Sequence, residues 1–359
     1  MKLIDSISPA PRDAWAEVLR ADPLALETQS PAWIDAMCAA VGFEDASRLY
    51  ETEEGRILIL PALRRRLVGT LAIEGSNLPH CVVGGLVAAG GATPDEIAAV
   101  FHELSEDRVL HQSFYPNPLL ASAWAAGAPP RAIAIPRRAH MLDLEGGFGK
   151  VWSTRFSSST RTGVRKAERV GVAVECDTSG RLVPDFYQLM QQAVGRWART
   201  QHEPLWLAQR RLRHRDPSEK FESMARLLGA RCRIWLARVD GRPAGAFVIL
   251  QGVNAYGFRA AMDEELRGYH ANDLLVRRAV EDACEAGCRY YYMGESGSSA
   301  SRAVFKERLG ARPLHYAEYH LERLPLTRGG AWPQEDGQAR HPVQRLTTVV
   351  GLAGRGHRK

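Results

Sequence analysis

The apolar and polar positions in the first half of the chain predict two helices and a β-hairpin. Ser30 followed by proline is typical of a helix start and predicts a helix over 31–40. Residues 48–52 and 56–61 have the pattern of two strands joined by a tight turn. A capping box at 93–96 precedes apolar residues at helical spacing. This half therefore mixes helices with antiparallel strands.

The second half repeats this order of elements. One face of a predicted amphipathic helix carries Phe186, Leu189, Met190, Ala193 and Trp197. Strands are predicted over 232–239, 246–250 and 256–260, then a helix over 272–286 and a strand over 289–293. Strand, tight turn, strand, helix and strand is an α/β layout in which an antiparallel start gives way to a helix crossover.

Length and composition predict two domains and a tail. A chain of 359 residues exceeds the usual size of one domain, so we expect domains at 1–145 and 146–325. A Gly- and Ser-rich segment at 143–160 resembles the crossover between them. Residues 326–359 are rich in Gly, Pro, Gln and Arg, and they predict a mobile basic tail with a short helix near 343–350. The two halves share the order of their elements and not their residues.

Charge and cysteine usage narrow the class of protein. The net charge of +6 allows a polyanionic partner without requiring one. The six cysteines form no CxxC pair, which argues against a disulfide framework or a zinc site, and we expect no bound metal. No apolar run is long enough to cross a bilayer, and the N-terminus is charged too early for a secretory signal. These features predict a cytoplasmic protein.

Four segments resemble the Fem-type (FemAB-like) transferases and the GNAT superfamily of N-acyltransferases. RTGVRKAERVGV at 161–172 looks like the opening of the second Fem domain, and FKERLGA at 305–311 resembles the "FK-x-x-[FWL]-GA" signature. Residues 241–294, ending in EAGCRYYYMG, are similar to the acetyltransferase-like core, and ETQSPAWIDAM at 27–37 is similar to the entry segment. The resemblance implies two tandem acetyltransferase-like domains with mixed sheets flanked by helices. It also implies transfer to an amine from aminoacyl-tRNA or from a CoA thioester.

Lys306 and Glu295 are the predicted catalytic residues. Lys306 lies beside the apolar face of a short helix, and the resemblance implies that it stabilises an oxyanion or a donor phosphate. The alternative is a surface lysine paired with Glu307 or Glu285. Glu295 follows a strand directly, at the edge where α/β proteins tend to place ligands. It is predicted to orient or deprotonate the acceptor amine, and the alternative is a polar helix-capping loop.

Arg165, Lys166, Arg267 and Phe305 are the predicted donor-binding residues. Arg165 belongs to a set of arginines spaced four residues apart on a predicted helix. Like charges at this spacing repel one another, and a nearby phosphate would offset that cost. The alternative, a solvated basic face, is equally compatible with the residues. This helix is predicted to be capped by Ser159 or Thr160.

The nature of the donor depends on residues 267–272. Acetyl-CoA enzymes of the superfamily usually carry R/Q-x-x-G-x-G/A here, and its backbone N–H groups cradle a pyrophosphate. Arg267 matches, but His270 and Asn272 occupy the two small-residue positions. Bulky side chains there disfavour CoA and favour aminoacyl-tRNA as the co-substrate, with no bound cofactor. A basic run at 210–215 could line a nucleic-acid path or be a solvated connector.

The sequence thus predicts an N-acyltransferase that moves an aminoacyl group from aminoacyl-tRNA to an amine of a small molecule, a peptide or a cell-wall-precursor-like acceptor. One alternative is an acyl-CoA-dependent N-acetyltransferase. Another is a non-catalytic binding module for an acidic partner. If Lys306, Glu295 and Arg165 line one cleft, chemistry is favoured, whereas separate positions favour binding.

Overall fold

The structure is a computed structural model that describes residues 2–67, 71–76, 82–297 and 299–323. The strands of the first half are β1 (Leu3–Ile7), β2 (Glu44–Asp45), β3 (Arg48–Thr52), β4 (Ile57–Leu60), β5 (Leu63–Arg66), β6 (Ala72–Gly75), β7 (Val87–Ala88), β8 (His111–Phe114) and β9 (Ile133–Asp143). Its helices are α1 (Arg12–Ala21), α2 (Pro31–Val41), α3 (Pro94–Glu106) and α4 (Ala121–Gly127). The predicted tail at 326–359 and its helix lie outside the described residues.

The second half begins with the predicted crossover segment, which forms a short helix and a π-helical turn at Val151–Arg155. Its helices are α5 (Gly147–Lys150), α6 (Ser158–Arg169), α7 (Val183–Thr200), α8 (Leu205–Arg215), α9 (Ser218–Leu228), α10 (Ala271–Glu285) and α11 (Ala300–Arg308). Its strands are β10 (Ala173–Asp177), β11 (Cys232–Val239), β12 (Arg242–Gln251), β13 (Ala255–Met262), β14 (Tyr290–Glu295) and β15 (Arg312–Glu322). None of the described helices is long and apolar enough to cross a membrane.

The described strands form one small sheet and one long sheet. The four-stranded sheet has the order β1-β3-β4-β7, and the eleven-stranded sheet has the order β10-β11-β12-β13-β14-β9-β15-β8-β6-β5-β2. Each half contains one parallel pair, β6 with β8 and β13 with β14, whose connections include α3 and α10 respectively. The α/β class and the helix crossover predicted from the sequence are confirmed.

The last strand of each half completes the sheet of the other half. β9 pairs antiparallel with β14, placing Leu142 opposite Tyr291, and β15 pairs antiparallel with β8, placing His320 opposite Ser113. β9 and β15 also pair with each other along nine residues, 133–141 with 312–320. The boundary at 145/146 remains a proposal, and it divides two segments that share one sheet.

Helices cover both faces of the long sheet. One core cluster brings together Trp33 and Met37 of α2, Phe186 of α7 and Phe221 of α9. A second lies under α6 and α10, and a third under α3 and α4. Because α2 of the first half packs against α9 of the second, helices as well as strands join the two halves.

The predicted helix starts are mostly correct. Ser30 accepts the backbone N–H of the third residue after it, and the capping box that begins at Thr93 is present. The cap of α6 is Ser157, whose Oγ accepts the backbone N–H of Thr160 at 3.2 Å. The prediction of Ser159 or Thr160 is therefore wrong, because both residues already lie inside the helix and Ser157 keeps the extended backbone of a cap.

The predicted buried face of α7 is wrong at its last position, where Ala198 is buried in place of Trp197. Phe186, Leu189, Met190 and Ala193 are buried, but Trp197 is 42% exposed. Trp197 lies in the last turn of the helix. A spacing of either three or four residues fits a helical face, so periodicity alone did not distinguish Trp197 from Ala198 in the last turn.

Candidate active site

A wedge opens between the two central strands of the second half. β13 and β14 pair in parallel at Ala255 with Tyr291 and at Tyr256 with Tyr292. Beyond these pairs β13 continues to Met262 and β14 to Glu295, and no further pairing joins these described segments. The carboxyl ends of the two strands therefore diverge, which is the position where α/β proteins bind ligands.

Glu295 lies at the end of β14 and is held by two phenols. Its Oε1 accepts hydrogen bonds from the hydroxyl groups of Tyr115 and Tyr316, both at 2.5 Å. Tyr115 follows β8 and Tyr316 lies on β15, so the strand exchange assembles this contact. Burial, with nearby tyrosines and Glu295 contributing, raises the pKa of Tyr316 well above its usual range, and its hydroxyl stays a donor. Glu295 Oε2 makes no hydrogen bond within the described ranges.

Lys306 is a buried lysine that fixes the backbone of Glu295. Its Nζ donates to the carbonyl oxygens of Gly294 and Glu295, both at 2.8 Å, and the side chain comes from α11. Burial, with a further contribution from Arg302, lowers the pKa of Lys306 to about 7, although Glu295 opposes that shift. The alternative of a surface lysine paired with Glu307 or Glu285 is wrong. An ammonium has three N–H groups, so one remains for a ligand.

Two further buried polar residues lie near Lys306. His140 of β9 and Ser296, which follows β14, are fully buried, and His140 Nδ1 lies 3.2 Å from Ser296 Oγ. Burial and the neighbouring Lys306 charge lower the pKa of His140. Sequence reasoning missed both residues, as well as Tyr115 and Tyr316. Ser296 directly follows Glu295, but no local spacing links His140, Tyr115 or Tyr316 to it, and only the pairing of β9 and β15 with their neighbours brings these three residues to Glu295 and Ser296.

The predicted donor-binding residues lie elsewhere. Arg165 and Lys166 are exposed on the side of α6 opposite its buried face. Arg267 has a 76% exposed side chain and pairs with Glu264 at 3.2 Å. Phe305 is half-buried and packs against the core under α6 and α10. Among the described residues, no contact joins Arg165, Lys166 or Arg267 to Lys306 and Glu295. The structure therefore brings together two of the three residues expected to line one cleft, Lys306 and Glu295, without Arg165, and the donor-binding roles stay predictions.

Side chains fill the space at the start of α10. His270 adopts a left-handed backbone as its N-cap, and its Nδ1 lies 2.9 Å from Asp273 Oδ2. A Cβ built on Gly163 of α6 would lie 2.4 Å from that oxygen, and one built on Gly245 would lie 2.5 Å from Asn272 Oδ1. The helix start is therefore closely packed, and Asp273 places a carboxylate in the first turn of α10.

Gly163→Ala is expected to destabilise the protein by about 1–3 kcal/mol, because the added methyl group would overlap Asp273 and His270. Urea denaturation measures this change. Gly195→Ala in α7 is the matched control, since the nearest atom to its Cβ is 3.9 Å away, and alanine there should be neutral or stabilising by up to about 1 kcal/mol. Equal stability of the two variants would contradict the close packing of α6 against α10.

No group of three His, Cys, Asp or Glu side chains in the described part of the chain is arranged to hold a metal ion. The geometry offers a fixed carboxylate and a buried ammonium at the carboxyl end of β14. Such a pair can accept a proton from an attacking amine and donate a hydrogen bond to a developing oxyanion.

Comparison with known proteins agrees with this fold. Residues 154–306 match the family described as Acetyltransferase (GNAT) domain. No curated protein sequence matches the chain. The solved structure of FemX is similar with a TM-score of 0.65 and 11% identity, covering 88% of this chain and 97% of that one. A conserved protein of unknown function from Bacteroides thetaiotaomicron VPI-5482 is similar with a TM-score of 0.52 and 10% identity, covering 89% of this chain and 98% of that one.

At these identities the solved structures establish the fold, and the GNAT match places the wedge and most of α11 inside a recognised domain. The match ends at Lys306, so the catalytic pair predicted from the sequence lies within it. The resemblance to the Fem-type transferases is therefore confirmed at the level of the fold, and residues 154–306 are an acetyltransferase (GNAT) domain within a FemX-like fold.

Proposed function

We propose that this acyltransferase moves an aminoacyl group from aminoacyl-tRNA to the amine of a peptide or cell-wall-precursor-like acceptor. The observation that supports this choice of donor is the close packing at the start of α10, where His270 pairs with Asp273 at 2.9 Å and the side chain of Asp273 lies against Gly163. The carboxylate of Asp273 also repels an anion at that position. Aminoacyl-tRNA carries its phosphates along the RNA strand, so its binding does not depend on the start of α10.

The proposed reaction is a direct attack without a covalent enzyme intermediate. The acceptor amine adds to the ester carbonyl carbon, and a C–N bond forms. The tetrahedral intermediate then expels the ribose oxygen as the C–O bond breaks. Glu295 Oε2 takes the proton that the amine loses, and that proton passes to the departing ribose oxygen. The third N–H of Lys306 donates to the oxyanion while the other two hold the backbone of Glu295 in place.

The test is transfer of label from a pool of aminoacyl-tRNAs and, separately, from acetyl-CoA to a mixed set of amine acceptors, with direct binding of each donor. Salt-sensitive binding of charged tRNA together with label transfer is the expected result. Binding of acetyl-CoA with acetyl transfer would overturn the donor assignment and favour an acyl-CoA-dependent N-acetyltransferase. If neither donor binds, a binding module for an acidic partner gains support.

A further inference from the structure

The basic helix α8 presents one exposed face that carries both an aromatic ring and unpaired cations. Its buried face packs on α7 through Ala208 and Leu212. On the opposite side, Trp206, Arg210 and Arg213 follow one another at i, i+4 and i+7, so their side chains lie in one row. Trp206 is 61% exposed. We call these three residues the α8 row.

The positive charge of the α8 row is not neutralised locally. Arg211 pairs with Glu203, and Arg215 pairs with Asp216. In contrast, Arg210 and Arg213 have no acidic partner in the part of the chain that the structure describes. Clustered cations of this kind raise the local potential, and an anionic ligand along the row would lower the electrostatic energy.

The C-terminal end of α8 is held against β13, one of the two strands of the wedge. Asp216, directly after α8, is fully buried and accepts hydrogen bonds from Arg259 at 3.0 and 3.2 Å and from Lys220 at 2.8 Å. Arg259 lies on β13, three residues beyond the last residue that pairs with β14. Glu295 lies on β14, three residues beyond Tyr292, which pairs with Tyr256 of β13. The end of α8 is thus anchored to the strand that forms one side of the wedge.

We infer that the α8 row binds an RNA strand of the donor, with Arg210 and Arg213 contacting phosphates and Trp206 stacking on a base. This inference rests on the proposed function, because it assigns a surface to the RNA that the proposed donor carries. A row of cations with one exposed ring is the arrangement that proteins use for single-stranded nucleic acid. A membrane surface fits less well, since the exposed large apolar side chains of α8, Leu205 and Trp206, lie only in its first turn and form no continuous apolar face along the helix.

The experiment measures the affinity of the full chain for charged and uncharged tRNA as a function of salt concentration. Each phosphate contact on a single strand contributes about 0.7 to the slope of log affinity against log salt. The double variant Arg210→Ala/Arg213→Ala should therefore lower that slope by about 1.4. Trp206→Ala should weaken binding by about 10-fold or more and leave the slope unchanged, whereas Trp206→Phe should retain most of the affinity.

Arg226→Ala is the matched control, because Arg226 is an exposed arginine on α9 in the same half of the chain. It should bind tRNA as the wild type does. All substituted residues are exposed, so we expect every variant to fold. The melting temperature of each variant checks this.

Three results would overturn the inference, and they are distinguishable. If the wild type binds tRNA and transfers the label but the α8 variants bind equally well, the RNA follows another surface and the proposed function stands. If the wild type binds no tRNA, the proposed function fails and this assignment fails with it. If Trp206→Ala abolishes binding to phosphatidylglycerol vesicles and not to tRNA, the α8 row is a lipid contact.

Discussion

Replacement of Lys306 by methionine is expected to lower kcat/KM for acyl transfer by about 10²–10³-fold while the protein remains folded. The ammonium group donates to the carbonyl oxygens of Gly294 and Glu295, so its loss releases the strand end that carries the Glu295 carboxylate. It also removes the donor proposed for the oxyanion. Two carbonyl groups lose a partner, at about 1–3 kcal/mol each, but the variant no longer buries a charge, which offsets part of that cost.

The pH profile separates this role from a structural one. Because burial lowers the pKa of Lys306 to about 7, the ammonium is present below that pH and is lost above it. If the charged form is required, kcat/KM of the wild type falls above about pH 7, and the methionine variant lacks this limb. Turnover close to that of the wild type in Lys306→Met, with the limb retained, would exclude Lys306 as the titrating group.

The stability of the same variant gives an independent check with the opposite dependence on pH. A free lysine titrates near 10.5, so between about pH 7 and that value the unfolded chain binds more protons at Lys306 than the folded chain does. The free energy of unfolding of the wild type should therefore rise through this window relative to Lys306→Met. Lys150→Met is the matched control for both measurements, because Lys150 is exposed and should change neither.

Asp216→Ala is expected to lower the free energy of unfolding by about 3–5 kcal/mol, the largest effect on stability that we predict. The Asp216 carboxylate and the Lys220 side chain are fully buried, and Arg215 and Arg259 also contact that carboxylate. Burial alone would raise the pKa of Asp216, but the positive charges of Arg259, Lys220 and Arg215 together outweigh it and hold that pKa well below its usual range. Without the carboxylate, Lys220 would be a buried charge with no counter-ion.

Urea denaturation at neutral pH measures this loss. Asp35→Ala is the control, because its pair with Arg12 is exposed and should contribute about 1 kcal/mol or less. In the double variant Asp216→Ala/Lys220→Met, part of the lost stability should return, since the unpaired buried ammonium is removed as well. If Asp216→Ala and Asp35→Ala lose the same amount, the buried cluster does not stabilise the fold.

Local elements could be predicted from the sequence because their causes are local. The caps of α2 and α3 depend on residues three apart, and the hairpin of β3 and β4 depends on a short turn. Trp197 and the cap of α6 show the limit of this reasoning. A cap requires an extended backbone at one serine among several, and the burial of Ala198 in place of Trp197 depends on which side of the last turn of α7 faces the core.

The candidate site was predictable in part. Lys306 and Glu295 were identified from a motif and from a position after a strand, and the structure joins them within 2.8 Å through a backbone carbonyl. Their partners were not predictable, because Tyr115 is 180 residues from Glu295 and His140 is 156 residues from Ser296. Contacts at such separations depend on which strands pair, and the exchange of β9 and β15 leaves no periodic trace in the sequence.

The exchange of final strands also sets the order in which the chain can fold during synthesis. When only the first half of the chain has been synthesised, β8 has an open edge, because the strand that pairs with it, β15, has not yet been translated. That edge stays unpaired until residue 322 has emerged, and an open strand edge is a site of aggregation. Folding therefore ends after translation of both halves, and slow codons between them would lengthen the exposure of that edge.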